Sequence, residues 1–248
     1  MKLCVIGGAG ARSAVFTKSL VKSARDIRVD HIVLLDNDQQ KLKTYGEISR
    51  ELARRLYPDL TFEVTSDARA ALTGVDYIIT TIRAGGDAGR LFDEQTCLAH
   101  GVLGQETTGA GGFAMAIRSV PTLVYYCTLA REVANPGHLI FNFTNPSGII
   151  TQALRSKGFD NVYGICDAPS GFIKQLEEIL GIPYGTLDIE CYGLNHLSWF
   201  RNAKVNGRDV QRELLDNPRT YEHSEMRLFT REMARISGDC MLNEYLYF

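Results

Sequence analysis

The stretch "KLCVIGGAGARS" (residues 2–13) decides the fold of this chain. Its apolar run up to Gly7 is typical of a strand buried in a parallel sheet, and a helical pattern follows the glycines to about Ala24. A glycine turn between such a strand and a helix is typical of a dinucleotide-binding fingerprint, since the helix N-terminal amides then face the phosphates. We therefore predict that Gly7, Gly8 and Gly10 bind a nucleotide cofactor.

The fingerprint is imperfect, because Ser13 stands where a third glycine is usual. A small serine still lets the helix approach the strand. Asp36 ends the next strand-like run, and its carboxylate suits the adenine ribose hydroxyls while it repels a 2′-phosphate. This pattern favours NAD over NADP. The alternative interpretation is the glycine turn of an ordinary α/β fold, with Asp36 as the N-cap of the following helix.

Strand-like and helix-like segments alternate through the first two thirds of the chain. Helical patterns separate the strand-like runs "HIVLLD" (31–36), "LTFEVT" (60–65), "VDYIITTI" (75–82), "HLIFNFT" (138–144) and "NVYGIC" (161–166). This order predicts an α/β fold with a Rossmann-like, doubly wound parallel sheet. Two glycine-rich motifs interrupt the order, "RAGGDAGR" (83–90) and "GQETTGAGG" (104–112). We expect the region that they flank to be a functional loop.

The last third of the chain has a different pattern. "GTLDIECYG" (185–193) and "SWFRNAKVNGRDV" (198–210) are typical of antiparallel strands, and Asn206-Gly207 is the strongest hairpin signal in the chain. We therefore predict an NAD-binding domain over residues 1–165 and a second, α+β domain over 166–248. The final "DCMLNEYLYF" lacks the polar residues usual at a terminus, so we expect this second domain to be incomplete.

Composition and charge narrow the class of protein. The apolar fraction of 45% and the 23 glycines are typical of a globular enzyme, and a net charge of −2 provides no field that would hold nucleic acid. No segment approaches the roughly 20 apolar residues that span a bilayer, so no membrane association is expected. The six cysteines are scattered without a CxxC pair, which predicts a reduced, cytoplasmic protein. We also expect a homo-oligomer.

A second group of polar residues follows the fifth and sixth predicted strands. The segment "FNFTNPSG" (141–148) ends the fifth strand with Asn142 and Asn145, and Cys166 ends the sixth. We therefore expect these side chains at the carboxyl edge of the sheet, where amides point into the ligand crevice. His196 lies thirty residues after Cys166, in "YGLNHLSW". Three interpretations of the cysteine and histidine remain open: a metal site with open positions, a nucleophile with its base, or two residues of the core.

Four ordered motifs behind the glycine turn, namely "GQETTGAGGF", "NFTNPSG", "CDAP" and "GLNH", resemble those of glycoside hydrolase family 4. This family is the NAD-dependent exception to the two-carboxylate mechanism that most glycosidases use. The resemblance implies that NAD oxidises the sugar at C3, which makes the C2 proton acidic. A base then removes that proton, the C1–O bond breaks, water adds and the hydride returns. A divalent metal, usually Mn²⁺, stabilises the enediolate.

The resemblance also implies a role for each matching residue. Cys166 and His196 correspond to the metal ligands, and Asp167 to the acid that protonates the leaving oxygen. The base tyrosine falls on Tyr245, with Tyr247 as the alternative register. Glu106 corresponds to an acid that raises the basicity of this tyrosine. Arg90 and Asn145 correspond to substrate-binding residues. Arginine suits a sugar phosphate because it offers a fixed fork of donors.

The substrate expected from the motifs is a 6-phospho-glucoside, and the β anomer is the first choice. Asp167 is more typical of the 6-phospho-α-glucosidases of the family, and "GAGARSAVF" is closer to its α-galactosidases, so both remain alternatives. Two interpretations from other classes are an NAD-dependent hydroxy-acid dehydrogenase and a non-catalytic, dinucleotide-binding fragment.

Overall fold

The computed structural model describes residues 1–244, apart from the side chains of residues 228, 243 and 244. The chain divides into two compact units, Met1–Ile165 and Cys166–Phe248. Each unit has its own sheet. The first unit has two hydrophobic cores, and the second unit has a core of its own.

The first unit is built on a six-stranded parallel sheet with the strand order β3-β2-β1-β4-β5-β6. This is the order of doubly wound, dinucleotide-binding folds, and it confirms the predicted fold class. The strands are β1 (Lys2–Ile6), β2 (His31–Leu35), β3 (Thr61–Thr65), β4 (Tyr77–Thr80), β5 (Leu139–Asn142) and β6 (Val162–Gly164).

Helices cover both faces of this sheet. They are α1 (Ser13–Ser23), α2 (Gln39–Lys41), a π-helical turn (Leu42–Gly46), α3 (Glu47–Leu56), α4 (Ala68–Leu72), α5 (Gly86–Ala99), α6 (Gly109–Val133) and α7 (Ser147–Ser156). Alternate residues of β1 point to opposite faces, so Cys4 and Ile6 pack in one core with Leu123 of α6, and Leu3 and Val5 pack in the other. Full burial of a side chain such as Leu123 contributes about 2 kcal/mol.

The region between the two glycine-rich motifs is a helix and not the predicted loop. Helix α5 begins after Gly85, which has φ +87°, and Gly101 with φ +67° lies just beyond its end. The intervening "LFDEQTCLA" contains no glycine or proline, so nothing in it interrupts a helix. The glycines therefore mark the ends of a helix, and the expectation of one long loop was wrong.

Helix α6 corrects the expectation that no segment approaches the apolar length needed to span a bilayer. Among residues 1–244, this one helix is long and apolar enough to cross a membrane by length and composition alone. Its contacts are those of a core helix, because Leu123, Cys127 and Ala130 are buried against the sheet. Arg118, in the middle of the helix, forms an ion pair with Asp93 of α5. Apolar length in α6 thus reflects packing within the first unit.

The second unit contains an antiparallel sheet in the order β10-β8-β7, with β9 paired to β8. Its strands are β7 (Leu187–Leu194), β8 (Leu197–Val205), β9 (Arg208–Asp209) and β10 (Met241–Glu244). Its helices are α8 (Asp167–Leu180), α9 (Gln211–Asp216), α10 (Pro218–Glu222), a 3-10 turn (Glu225–Leu228) and α11 (Arg231–Ile236). Asn206 and Gly207, with φ +51° and +80°, join β8 to β9 and confirm the predicted hairpin.

Two contacts connect α8 to this sheet. The rings of Phe172 and Phe200 are both fully buried and meet edge to face, with centroids 4.9 Å apart. The buried carboxylate of Glu177 accepts hydrogen bonds from the backbone amides of Thr186 (2.9 Å) and Leu187 (3.0 Å) at the start of β7. Helix α8 is therefore held in place relative to β7 and β8.

Candidate active site

The glycine turn after β1 is set by close packing. The amides of Gly7 and Gly8 donate to the carbonyl of Leu35 at 2.8 and 3.0 Å. Gly7 has φ +84°, and a Cβ at this position would lie 2.6 Å from the carbonyl oxygen of Thr81. Gly10 is different, because an added Cβ would meet no atom of the described residues within 4 Å. Gly10 therefore leaves open space beside the turn, as expected where a ligand approaches the backbone.

The start of α1 is compatible with a phosphate. Arg12 is the N-cap residue and provides no side-chain hydrogen bond to the helix, so the first-turn amides have no side-chain cap. Ser13 is buried, and its hydroxyl donates to the carbonyl of Gly10. The serine in place of the third glycine thus stabilises the glycine turn through this buried hydrogen bond.

The Asp36 carboxylate lies against the glycine turn. Its Oδ2 accepts from the amide of Ala9 at 3.1 Å, and its Oδ1 accepts from the amide of Asp38 at 3.1 Å. The N-cap of α2 is Asp38, whose carboxylate accepts from the amide of Lys41. The interpretation of Asp36 as the helix N-cap is therefore wrong. The structure brings together Asp36 and the glycines, as a dinucleotide site requires.

Two predicted residues, Arg90 and Glu106, form an ion pair in a cluster of charges. The Glu106 carboxylate is 18% exposed and lies 3.6 Å from Nη1 of Arg90 and 3.3 Å from Nη2 of Arg83. Arg83 also pairs with Asp87, and Arg90 with Glu94 at 2.7 Å. Two guanidinium groups thus face three carboxylates.

Sequence reasoning missed two arginines in this region. Arg83 follows β4 at the carboxyl edge of the sheet, and its place as the first residue of the "RAGGDAGR" motif was the signal available. Arg118 binds both carboxylate oxygens of Asp93, which raises the pKa of the guanidinium, and donates to the carbonyl of Ala84 at 3.1 Å. A Cβ at Gly85 would lie 3.0 Å from Nε of Arg118. The positive φ of Gly85, +87°, together with this close approach favours glycine at the position.

The two asparagines after β5 have different surroundings. Asn142 is fully buried: its Oδ1 accepts from the hydroxyl of Thr80 at 2.8 Å, and its Nδ2 donates to Thr151 at 3.2 Å. The expectation that this amide points into a ligand crevice was wrong, because the amide joins β4, β5 and α7. Asn145 is half-buried, precedes a cis peptide bond to Pro146, and has no side-chain hydrogen bond to a described residue.

Cys166 and Asp167 stand at the start of α8. Cys166 is the half-buried N-cap residue, and its Sγ lies 4.0 Å from Oδ1 of Asp167. Asp167 is exposed and is the first residue of the helix. The positive end of the helix dipole favours negative side chains at this position. The pair is thus open to solvent and suited to bind a cation or to transfer a proton.

His196 lies in the two-residue turn of the β7–β8 hairpin, between the paired residues Leu194 and Leu197. It is half-buried and has φ +66°, a left-handed conformation that is uncommon outside glycine and is found at functional sites. Since neither Cys166 nor His196 is fully buried, the interpretation of both as core residues is disfavoured. Within residues 1–244, no three His, Cys, Asp or Glu side chains form a group that could hold a metal. Tyr245 and Tyr247 lie outside the described residues.

A sequence model described as Family 4 glycosyl hydrolase matches residues 2–182, which is most of this chain. The chain belongs to family 4 of the glycosyl hydrolases. The resemblance inferred from the motifs is therefore confirmed, and the glycine turn and the charge cluster of the first unit lie within the matched range.

The relatives include enzymes for both anomers. The chain is 35% identical over 88% of its length to the 6-phospho-beta-glucosidase BglT of Thermotoga maritima, and 33% identical over 87% to the phospho-alpha-glucosidase PagL of Clostridium acetobutylicum. It spans about half the length of these relatives, 51% and 50%. A solved structure of the Thermotoga maritima 6-phospho-beta glucosidase with manganese, NAD+ and glucose-6-phosphate matches 99% of this chain and 58% of its own, with a TM-score of 0.87 and 32% identity.

Proposed function

We propose that the protein to which this chain belongs hydrolyses 6-phospho-glucosides by an oxidation and elimination that needs NAD and a divalent metal. The β anomer is the first candidate substrate. The 6-phospho-α-glucosides are the second candidate, because PagL is almost as similar to the chain as BglT. The observation that carries the proposal is the Asp36 carboxylate held against an open glycine turn. A glycosidase that uses only two carboxylates has no need of a dinucleotide site.

The first unit fits NAD. Gly7, Gly8 and Gly10 would border the pyrophosphate, and Asp36 would accept hydrogen bonds from the adenine ribose hydroxyls. The Asp36 carboxylate would repel the 2′-phosphate that NADP carries on that ribose, so the site selects against NADP. When bound, NAD supplies a hydride acceptor and donor for C3 of the sugar.

The second unit fits a divalent metal such as Mn²⁺ in the chemistry of its donors. Cys166 and His196 would provide a sulfur and an imidazole nitrogen, a pair that suits a borderline cation and leaves positions open for sugar oxygens. When bound, the metal supplies positive charge that stabilises negative charge on those oxygens.

The remaining side chains bind the sugar and move protons. Asp167, exposed beside Cys166, would protonate the leaving oxygen, and Tyr245 would remove the C2 proton. Glu106 would raise the basicity of that tyrosine, and the two arginines beside it hold its carboxylate in place. Asn145 and Arg90 would bind the substrate, Arg90 through the fixed fork of donors that its guanidinium offers to the sugar phosphate.

The test is the hydrolysis of p-nitrophenyl 6-phospho-β- and α-glucosides, with and without NAD and Mn²⁺, with nitrophenol and NADH followed together. We expect nitrophenol release that needs both additions, faster for the β anomer, with no net NADH. Accumulation of NADH without nitrophenol would instead identify a dehydrogenase, and equal rates without NAD would refute the proposal. Binding of NAD with no turnover of any glycoside would leave a dinucleotide-binding protein.

A further inference from the structure

The side chain of Arg118 on α6 lies along two glycines of the "RAGGDAGR" motif, Gly85 and Gly89. A Cβ at Gly85 would lie 3.0 Å from Nε of Arg118, and a Cβ at Gly89 would lie 3.5 Å from both Nε and Nη2. The two glycines are four residues apart at the start of α5, so they lie on one side of its first turn. We call this pair the glycine groove. Its lack of side chains lets the guanidinium of Arg118 reach the backbone that precedes α5.

Each nitrogen of the Arg118 guanidinium has a partner beside the glycine groove. Nε donates to the carbonyl oxygen of Ala84 at 3.1 Å, Nη1 donates to Oδ1 of Asp93 at 2.9 Å, and Nη2 donates to Oδ2 of the same carboxylate. The Asp93 side chain is only 7% exposed, so this ion pair is shielded from solvent. A lysine could not replace the arginine, because a single ammonium lacks the fixed fork that serves the carboxylate and the carbonyl together.

The carbonyl that Arg118 binds belongs to the β4–α5 loop, which comprises residues 81–85. Gly85 and Gly86 follow Ala84, and both have positive φ, +87° and +61°. Glycine loses more conformational freedom on ordering than any other residue, so two in succession make one conformation costly to hold. The hydrogen bond from Arg118 offsets part of this cost.

The residue before Ala84 is Arg83, whose guanidinium lies 3.3 Å from the carboxylate of Glu106. The second arginine at this carboxylate, Arg90, lies within α5 and also pairs with Glu94 one turn further along the same helix. Arg90 is therefore held by its own helix. The place of Arg83 depends instead on the conformation of the β4–α5 loop.

We infer that Arg118 is a positioning residue for the proposed reaction: it fixes the β4–α5 loop so that Arg83 stays against the Glu106 carboxylate. Because Asp93 neutralises Arg118, the pair acts through geometry and adds no net charge beside Glu106. The consequence for catalysis rests on the proposed function, whereas the fixing of the loop by Arg118 does not.

A double-mutant cycle in the full-length protein tests whether Arg118 acts through Arg83. We expect Arg118→Met to lower kcat for the p-nitrophenyl 6-phospho-glucoside about tenfold or more. KM should change less than about threefold, because Arg90 keeps its own contacts. In an Arg83→Met background, the same substitution at Arg118 should lower kcat less than about twofold further. Losses that multiply in the double variant would overturn the inference, since a merely structural effect of Arg118 would not depend on Arg83.

Two further variants separate positioning from general damage to the fold. Arg118→Lys keeps a positive charge beside Asp93 but lacks the fork, so we expect a folded protein whose kcat falls as in Arg118→Met. Arg69→Met is the matched control, because Arg69 forms an ion pair with Glu132 that joins α4 to α6 away from the β4–α5 loop. This variant should keep the kcat of the unmodified protein. An equal loss of kcat in Arg69→Met, or full activity in Arg118→Lys, would overturn the inference.

Hydrogen exchange followed by mass spectrometry tests the fixing of the loop without an assay of activity. The amide of Gly86 donates to the carbonyl of Arg83 at 2.9 Å, so its exchange reports whether the β4–α5 loop keeps its conformation. Peptides that cover residues 83–89 should exchange at least about tenfold faster in Arg118→Lys and at an unchanged rate in Arg69→Met.

The exchange rates also distinguish the inference from the proposed function. If the unmodified protein hydrolyses no 6-phospho-glucoside, the proposed function fails, and faster exchange in Arg118→Lys would still support the fixing of the loop. Unchanged exchange in Arg118→Lys would overturn the inference, whatever the activity of the unmodified protein.

Discussion

Replacement of Asp36 with asparagine probes the cofactor site with the smallest change of shape. The carboxylate accepts backbone hydrogen bonds from Ala9 on one oxygen and from Asp38 on the other, both at 3.1 Å. An asparagine keeps one acceptor and replaces the second oxygen with a donor. One of the two backbone amides therefore loses its acceptor, and the group that would bind the ribose hydroxyls loses its charge.

The expected magnitude follows from the loss of one hydrogen bond to a charged acceptor. Such a bond contributes about 1.5–3 kcal/mol, so the Kd for NAD should rise about 10- to 100-fold. The affinity for NADP should fall less, because the substitution also removes the negative charge that opposes the 2′-phosphate. The ratio of NAD to NADP affinity is therefore expected to decrease.

The assay is isothermal titration of the chain with NAD and NADP. Asp38→Asn is the matched control, since Asp38 caps α2 and asparagine is an equally good N-cap, so NAD affinity should be unchanged. If Asp36→Asn binds NAD within a factor of three of the unmodified chain, or if both substitutions weaken binding equally, the assignment of Asp36 to the ribose is refuted.

Three other predictions concern the charge cluster around Glu106, the contact between α8 and β7 in the second unit, and the thiols. Arg83→Met should lower kcat about 10- to 100-fold, because it releases the Glu106 carboxylate. The unfolding free energy should fall by less than about 1 kcal/mol. An unchanged kcat would contradict the role of Arg83 in positioning Glu106. Glu177→Ala should lower the unfolding free energy by about 3 kcal/mol in denaturant titration, because two backbone amides lose their acceptor, whereas Glu177→Gln should cost less than about 1 kcal/mol. Burial raises the pKa of Cys4 to about 12, so at pH 8 Ellman's reagent should label exposed Cys191 in the folded protein and Cys4 only after unfolding.

The parts of the fold that were predictable are those fixed by local pattern. Apolar runs ending in glycine or acid identify β1 and β2, and the alternation of strands and helices leaves few topologies other than a doubly wound sheet. Asn206-Gly207 predicts its hairpin because both residues accept positive φ. The glycines around α5 misled the prediction, since a glycine that ends a helix cannot be told from one in a long loop by sequence alone.

The side-chain partners in the candidate site could not be predicted, because they depend on long-range contacts. Whether Asn142 faces a ligand or the protein interior is decided by Thr80 and Thr151, on other elements of the first unit. The pairing of Glu106 with Arg83 joins residues 23 positions apart. The position of His196 in a hairpin turn depends on the register of β7 with β8, which the motif "GLNH" does not contain.

The measurement that tests the proposed chemistry most directly is the hydrolysis of the 6-phospho-glucoside in D₂O by the full-length protein loaded with NAD and Mn²⁺. An elimination removes the C2 proton and returns one from solvent, so the released sugar phosphate should carry deuterium at C2, detected by proton NMR and mass spectrometry. A direct displacement at C1 never breaks the C2–H bond. A product without deuterium at C2 would therefore contradict the proposed mechanism.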